Sequence, residues 1–251
     1  DLIARRVAAI PAYADAFARV YPEIAAGRPI AFTDISNAIG AFIAFEWRSD
    51  DSPFDAWLRG EAPLPPAAER GRALFYGEAR CASCHSGPFQ TDHRFHAMAA
   101  PQLGPGKAER FESHQRDTGR GRVTGRAEDM YAFRTPSLRN VTRTGPWGHA
   151  GGHDDLAAFL AYHADPVAGL AGYRPAVTLP DLPGAAPDGA ILDAPAERAA
   201  IAAAVTAPPV ALTAAQIADL VAFLDALADE TGLDGRLGIP QTVPSGLPVE
   251  R

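Results

Sequence analysis

The residues best equipped for chemistry sit together in Arg80-Cys81-Ala82-Ser83-Cys84-His85. Two thiols are separated by two residues, and an imidazole follows directly. Cys81 and Cys84 are the only 2 cysteines among 251 residues, so no disulfide framework exists outside the motif. C-x-x-C-H reads as an attachment site for covalent haem: the thiols form thioethers and the adjacent His85 becomes the proximal iron ligand. A zinc reading would need two more ligands at suitable spacing, and there is no second cysteine pair.

An iron held by His85 has one further axial position, open to His, Met, Tyr or water. The other histidines are His93, His96, His114, His149, His153 and His163, and the methionines are Met98 and Met130. A lone histidine on an apolar helix face is more often a hydrogen-bonded core residue than a ligand. His163 is better placed than the others. Leu156, Phe159 and Leu160 precede it at helical spacing and share its face. Tyr162 would point about 100° away.

These residues need helices to position them. Residues 2–21 read as helical, with Pro11 opening a second segment. A helix from Thr33 to Trp47 has Thr33 and Asp34 at its start and Ile35, Ile39 and Phe42 as its apolar stripe. SPFDAWLRGEAPLPP reads as a turn-rich connector, and AAERGRALFYG as a short helix leading into the motif. Residues 86–135 read as long ordered loops around the haem. Asp154 or Asp155 caps the His163 helix, which Pro166 ends. Residues 165–210, rich in Ala and Pro, read as a surface excursion with one or two helical turns in AERAAIAAAV. Thr213 and Gln216 form a capping box ahead of Ile217, Leu220, Val221 and Leu224, with Gly232 as the stop. The tail 236–251 has too much Pro and Gly for a helix. The fold class is all-α.

The hydrophobic share of 47% suffices for a core. A net charge of −7 argues against a nucleic-acid partner and suits a protein with a basic patch. No apolar run reaches the roughly 18 residues of a membrane span. The opening DLIARRVAAIPAYADAF lacks a continuous apolar core and reads as mature or internal. Covalent haem attachment in bacteria takes place outside the cytoplasm, which places the expected location in the periplasm.

GRALFYGEARCASCHSGP, DTGRGRVTG, FRTPSLRNVTRTGPWGHAG, a capped helix and LTAAQIADLVAFLDAL follow one another in order. Together they resemble the C-terminal half of the di-haem cytochrome c peroxidase family, which includes the MauG-type protein oxidases. The resemblance runs from about residue 10 to about residue 230 and implies two cytochrome c-like domains, each with a haem. Residues 1–60 would complete the first haem's domain, residues 61–235 would form the second, and 236–251 an extended tail. The first haem would lie before residue 1, on a separate chain or a missing piece.

The resemblance also implies roles. Cys81, Cys84 and His85 match the second haem's attachment and proximal ligand. The family's distal ligand lies seven residues past a Leu, as Met in the peroxidases and Tyr in the MauG type. Here that position is His163, which implies a bis-His, low-spin haem. Glu46 matches the Glu, or Gln in the MauG type, that stands over the first haem as acid/base for peroxide cleavage. Arg134 matches an Arg near a haem propionate. Thr144 and Pro146 match positions whose backbone carbonyls help bind Ca²⁺, an ion suited to hard oxygens. The MauG type carries a surface Trp two residues before this motif, and here that place is Ala79.

The implied function is part of a di-haem c-type oxidoreductase using hydrogen peroxide. This chain would supply the electron-transfer haem and the distal Glu46 for the peroxide-reacting haem. Its partners would be a haem-bearing N-terminal chain or fragment and an electron-donor protein or protein substrate. Two alternatives are a MauG-like oxidase of a residue on a partner protein and a single-haem electron-transfer subunit without catalysis.

Overall fold

A computed structural model describes residues 1–104, 115–175 and 189–249. Helices dominate. In chain order they are α1 (Leu2–Ala8), α2 (Pro11–Val20), α3 (Pro22–Ala25), α4 (Phe32–Glu46), α5 (Pro53–Leu58) and α6 (Pro66–Tyr76). After the haem motif come α7 (Gly121–Thr124), α8 (Leu156–Ala164), α9 (Pro166–Gly172), α10 (Pro195–Ala203), α11 (Ala214–Asp225) and α12 (Glu230–Asp234). The described strands are β1 (Phe95–His96) and β2 (Phe133–Arg134), antiparallel with Phe95 opposite Arg134. No described helix is long and apolar enough to cross a membrane.

Two compact units emerge: residues 1–51 with 229–251, and residues 52–228. In the first, α2 and α3 each open on a proline, whose missing N–H costs nothing at a helix start. α4 inverts its expected pattern. Ile39 is 54% exposed and Phe42 43%, while Asp34 and Glu46 are buried. Asp34 accepts the Ala31 N–H at 2.8 Å and a two-pronged pair from Arg28 at 2.9 and 3.0 Å. Buried Asp229 holds the returning segment by accepting the N–H groups of Asp50, Asp51 and Gly232.

The second unit is built on α6 packed along α11. Gly71 permits the approach: a Cβ there would lie 1.9 Å from the Asp219 carbonyl oxygen and 2.8 Å from Phe223 Cβ. Gly71→Ala should therefore force the helices apart and cost about 1–3 kcal/mol, the usual overpacking range, measured as a lowered urea midpoint. Phe54, Phe75 and Phe223 meet in the core beside Leu156, Leu220 and Leu224. The capping box on α11 forms as expected, with Thr213 accepting from the Gln216 N–H at 3.2 Å.

Three expectations are corrected. The stretch after Ser52 is the capped helix α5, not a loose connector. Ser52 accepts the Asp55 N–H, Asp55 accepts the Ser52 N–H, and Phe54 enters the core. The described part of 165–210 is not a surface excursion. Leu170, Tyr173, Leu192 and Ile201 form a second core with Ala99, Tyr131 and Tyr162. Helix α11 stops at Asp225, and Gly232 is buried inside α12, because Asp229 caps a new helix there.

Candidate haem site

The attachment motif is a tight turn. Arg80 is left-handed (φ 57°), Cys81–Ser83 form a 3₁₀ turn, and the His85 N–H donates to the Cys81 carbonyl at 2.9 Å. This gathers both thiols and the imidazole at one wall of a cavity. Burial pushes the Cys81 thiol up to about 11 and Cys84 in the same direction, so both are protonated at neutral pH.

The cavity measures about 480 Å³, within the usual range for small-molecule and cofactor sites. Phe75, Leu138, Val141, Leu156, Leu220 and Leu224 contribute apolar walls. Helix α8 forms the side opposite the motif. Its N-cap Asp155 accepts the Ala158 N–H at 2.6 Å, and Leu156, Phe159, Leu160 and His163 all reach the cavity.

The His85 and His163 rings both line this cavity, with centroids 6.4 Å apart and planes tilted by 52°. Two imidazoles bound to one metal at ordinary Fe–N lengths, near the ~2.0–2.1 Å of other first-row metals, would have ring centres roughly 6–6.5 Å apart. Both rings are neutral at pH 7. Apolar burial lowers His163 to about 4, helped by the neighbouring His85 and His153, and burial lowers His85 too. Both rings still present surface to the cavity itself. The Gln90 carbonyl lies 3.1 Å from His85 Nδ1 and can only accept, so Nδ1 carries the proton and Nε2 keeps its lone pair. Thiols, imidazoles and cavity fit one covalently attached haem.

Of the other candidate ligands, Tyr162, His149, His96 and Met98 also line the cavity, but the polar atoms of the first three are engaged elsewhere. Tyr162 turns into the second core, and its hydroxyl donates to the Ala99 carbonyl at 2.5 Å. Met130 packs against that same core. His153 is buried among Phe159, Tyr162 and Tyr173. His149 stacks on Phe133 and approaches Asp117 at 3.0 Å through Nε2. His96 approaches Asp92 at 2.8 Å, and His93 accepts from Arg134 at 3.0 Å. Met98 lines the cavity, and His114 lies outside the described residues.

Arg134, exposed on β2, also lines the cavity. Thr144 and Pro146 are exposed beside the turn Val141–Arg143. Among the described residues, the group of three metal-ligand side chains is Cys84, Asp92 and His96, of which Cys84 and His96 line the cavity. Ala79, the place of the family's surface Trp, is buried.

Glu46 lies in the first unit and is only 4% exposed. Its Oε2 accepts the Leu237 N–H at 2.7 Å. A Cβ on Gly235 would come within 2.5 Å of its Oε1. Arg236 reaches back to the carbonyls of Glu46 at 3.3 Å and Arg48 at 2.7 Å. The tail thus supplies the partner that a buried carboxylate needs.

Sequence reasoning missed the Gln90 carbonyl and the Leu237 N–H. Both are backbone contacts with no residue-type signal.

Fold and motif together define a cytochrome c-like helical haem domain. A sequence profile described as di-haem cytochrome c peroxidase matches residues 1–63. The cytochrome-c peroxidase IdrP1 of Denitromonas iodatirespirans is 33% identical over 188 residues, covering 65% of this chain and 48% of the relative. The methylamine utilization protein MauG of Methylorubrum extorquens is 34% identical over 166 residues, covering 65% and 42%. The crystal structure of a MauG-like protein associated with microbial copper homeostasis superposes with a TM-score of 0.61 at 31% identity, covering 91% of this chain and 61% of that one. In sequence and fold the chain is similar to the di-haem cytochrome c peroxidases and the MauG-type proteins. It spans about half the length of the curated relatives it matches.

Proposed function

We propose that this chain is the second-haem part of a di-haem c-type oxidoreductase that uses hydrogen peroxide. The observation that carries the reading is the 6.4 Å separation of His85 and His163 across a cavity floored by Cys81 and Cys84. Cys81 and Cys84 would anchor the haem, His85 and His163 would hold its iron, and Arg134 would serve a propionate at the rim. Bound there, the haem supplies a one-electron centre. Two neutral nitrogen ligands favour a low-spin iron with a lower potential than a His/Met pair. The apolar walls would keep water from a bound iron.

Glu46 is assigned to the peroxide-reacting haem of a preceding domain, which the first unit would help complete. There its carboxylate would carry the proton from one peroxide oxygen to the other. The exposed apolar face of α4, with Ile39, Phe42, Ile43 and Phe45, supports a partner for that unit. The carbonyls of Thr144 and Pro146 are assigned to a Ca²⁺ ion, and the setting is the periplasm. The reductant is an electron-donor protein. Oxidation of a residue on a partner protein is the second reading, favoured by a histidine rather than a methionine at position 163 and by the likeness to MauG.

Intact mass tests the haem assignment. The protein should carry one haem through this motif, and the double variant Cys81→Ser/Cys84→Ser should lose one haem mass per polypeptide. An unchanged mass in that variant would sink the reading.

A further inference from the structure

One of the two backbone contacts on the proximal imidazole, which also meets Pro136, is itself held by a buried ion pair. The Gln90 carbonyl that meets His85 Nδ1 belongs to a buried residue in the left-handed region (φ 47°). A side-chain-bearing residue stays there only when its surroundings hold it. The Gln90 N–H donates to the Gly87 carbonyl at 3.1 Å, and its Nε2 donates to the same carbonyl at 3.2 Å. The Phe89 carbonyl accepts from Ser137 Oγ at 2.7 Å. The Pro88 carbonyl accepts twice from Arg139, from Nε at 3.1 Å and Nη2 at 2.8 Å.

Arg139 is fixed in turn. Its side chain is 9% exposed, and it forms a two-pronged pair with Asp55 at 2.5 and 2.8 Å. Its Nη1 also donates to Ser52 Oγ at 3.2 Å. Asp55 accepts from the Ser52 N–H at 3.0 Å and the Ser52 hydroxyl at 2.6 Å, the capping box of α5. One planar guanidinium therefore ties the start of α5 to the turn after the haem motif. A lysine has no second edge with which to make both contacts.

We infer that the Arg139–Asp55 pair is a positioning device for the proximal histidine, holding the Pro88–Gln90 turn so that the Gln90 carbonyl engages His85 Nδ1 and sets the haem's reduction potential. A hydrogen bond from Nδ1–H makes the ring a stronger donor to the iron and favours the ferric state. Loosening the turn weakens that bond and raises the potential. The inference rests on the reading that His85 ligates the iron.

The test is the reduction potential and EPR g-values of the haem-loaded protein carrying Arg139→Lys, with Ile201→Ala as control. Ile201 is buried in the second core, so its truncation lowers stability without touching the turn. Arg139→Lys should keep the haem attached and low-spin, raise the potential and shift the g-values, while Ile201→Ala leaves both unchanged. If Arg139→Lys does not accumulate as a haem protein, Ser52→Ala should give the same signs at smaller amplitude. A wild-type potential in Arg139→Lys, or in Ser52→Ala where that variant stands in, overturns the inference, and so does an equal shift in Ile201→Ala. His85→Ala separates the two claims. If it leaves the axial signature unchanged, the ligand reading has failed; if it abolishes that signature while Arg139→Lys changes nothing, only the positioning inference has.

Discussion

Replacing His163 with alanine is expected to convert this haem from a low-spin to a high-spin species, seen in both absorption and EPR. The ring stands opposite His85 at a separation that fits an iron between them. Burial holds it neutral, with its pKa lowered to about 4, so its lone pair is available throughout the physiological range. Truncation leaves the sixth position to water or to nothing, and the conversion should be close to complete. Met98 is the residue to watch, since it too lines the cavity. A spectrum that stays low-spin in His163→Ala and changes only in Met98→Ala would assign the ligand to Met98.

The second large effect is expected at Glu46. Glu46→Gln keeps the shape of the side chain and its hydrogen bond from the Leu237 N–H, but removes proton transfer. Haem content should be normal. In a protein that also carries the proposed peroxide-reacting haem domain, reaction with peroxide should slow by about 10²–10⁴, the usual contribution of general acid/base catalysis. The resemblance adds a graded outcome, because the MauG type carries Gln at the matching position. A smaller loss would point towards that chemistry. An unchanged rate would leave Glu46 with the role its contacts already show, a buried anchor for the turn 235–237.

The parts of this protein legible in the sequence are those whose signal is local. Cys81, Cys84 and His85 fall within five consecutive residues and specify one turn. Thr213 and Gln216 announce α11, and the spacing of Leu156, Phe159, Leu160 and His163 puts them at one cavity wall. Periodicity misled at α4, where Ile39 and Phe42 lie exposed and Glu46 is buried by a segment about 190 residues away in the chain. Ala- and Pro-rich composition hid the second core, because Leu170 and Ile201 are single large residues among small ones. Ser52, Pro53 and Asp55 do carry a readable helix-start signature, with Asp in place of the usual Glu. Arg139 gave no signal, because its partner Asp55 is 84 positions away and both belong to types usually found at the surface.

The central claim is that one covalent haem lies between His85 and His163, and a crystal structure of the haem-loaded protein tests it most directly. The expected result is a porphyrin bonded to Cys81 and Cys84 Sγ, with its iron in line between the two imidazole nitrogens. Iron bound on its distal side by Met98, Tyr162 or water would contradict the account.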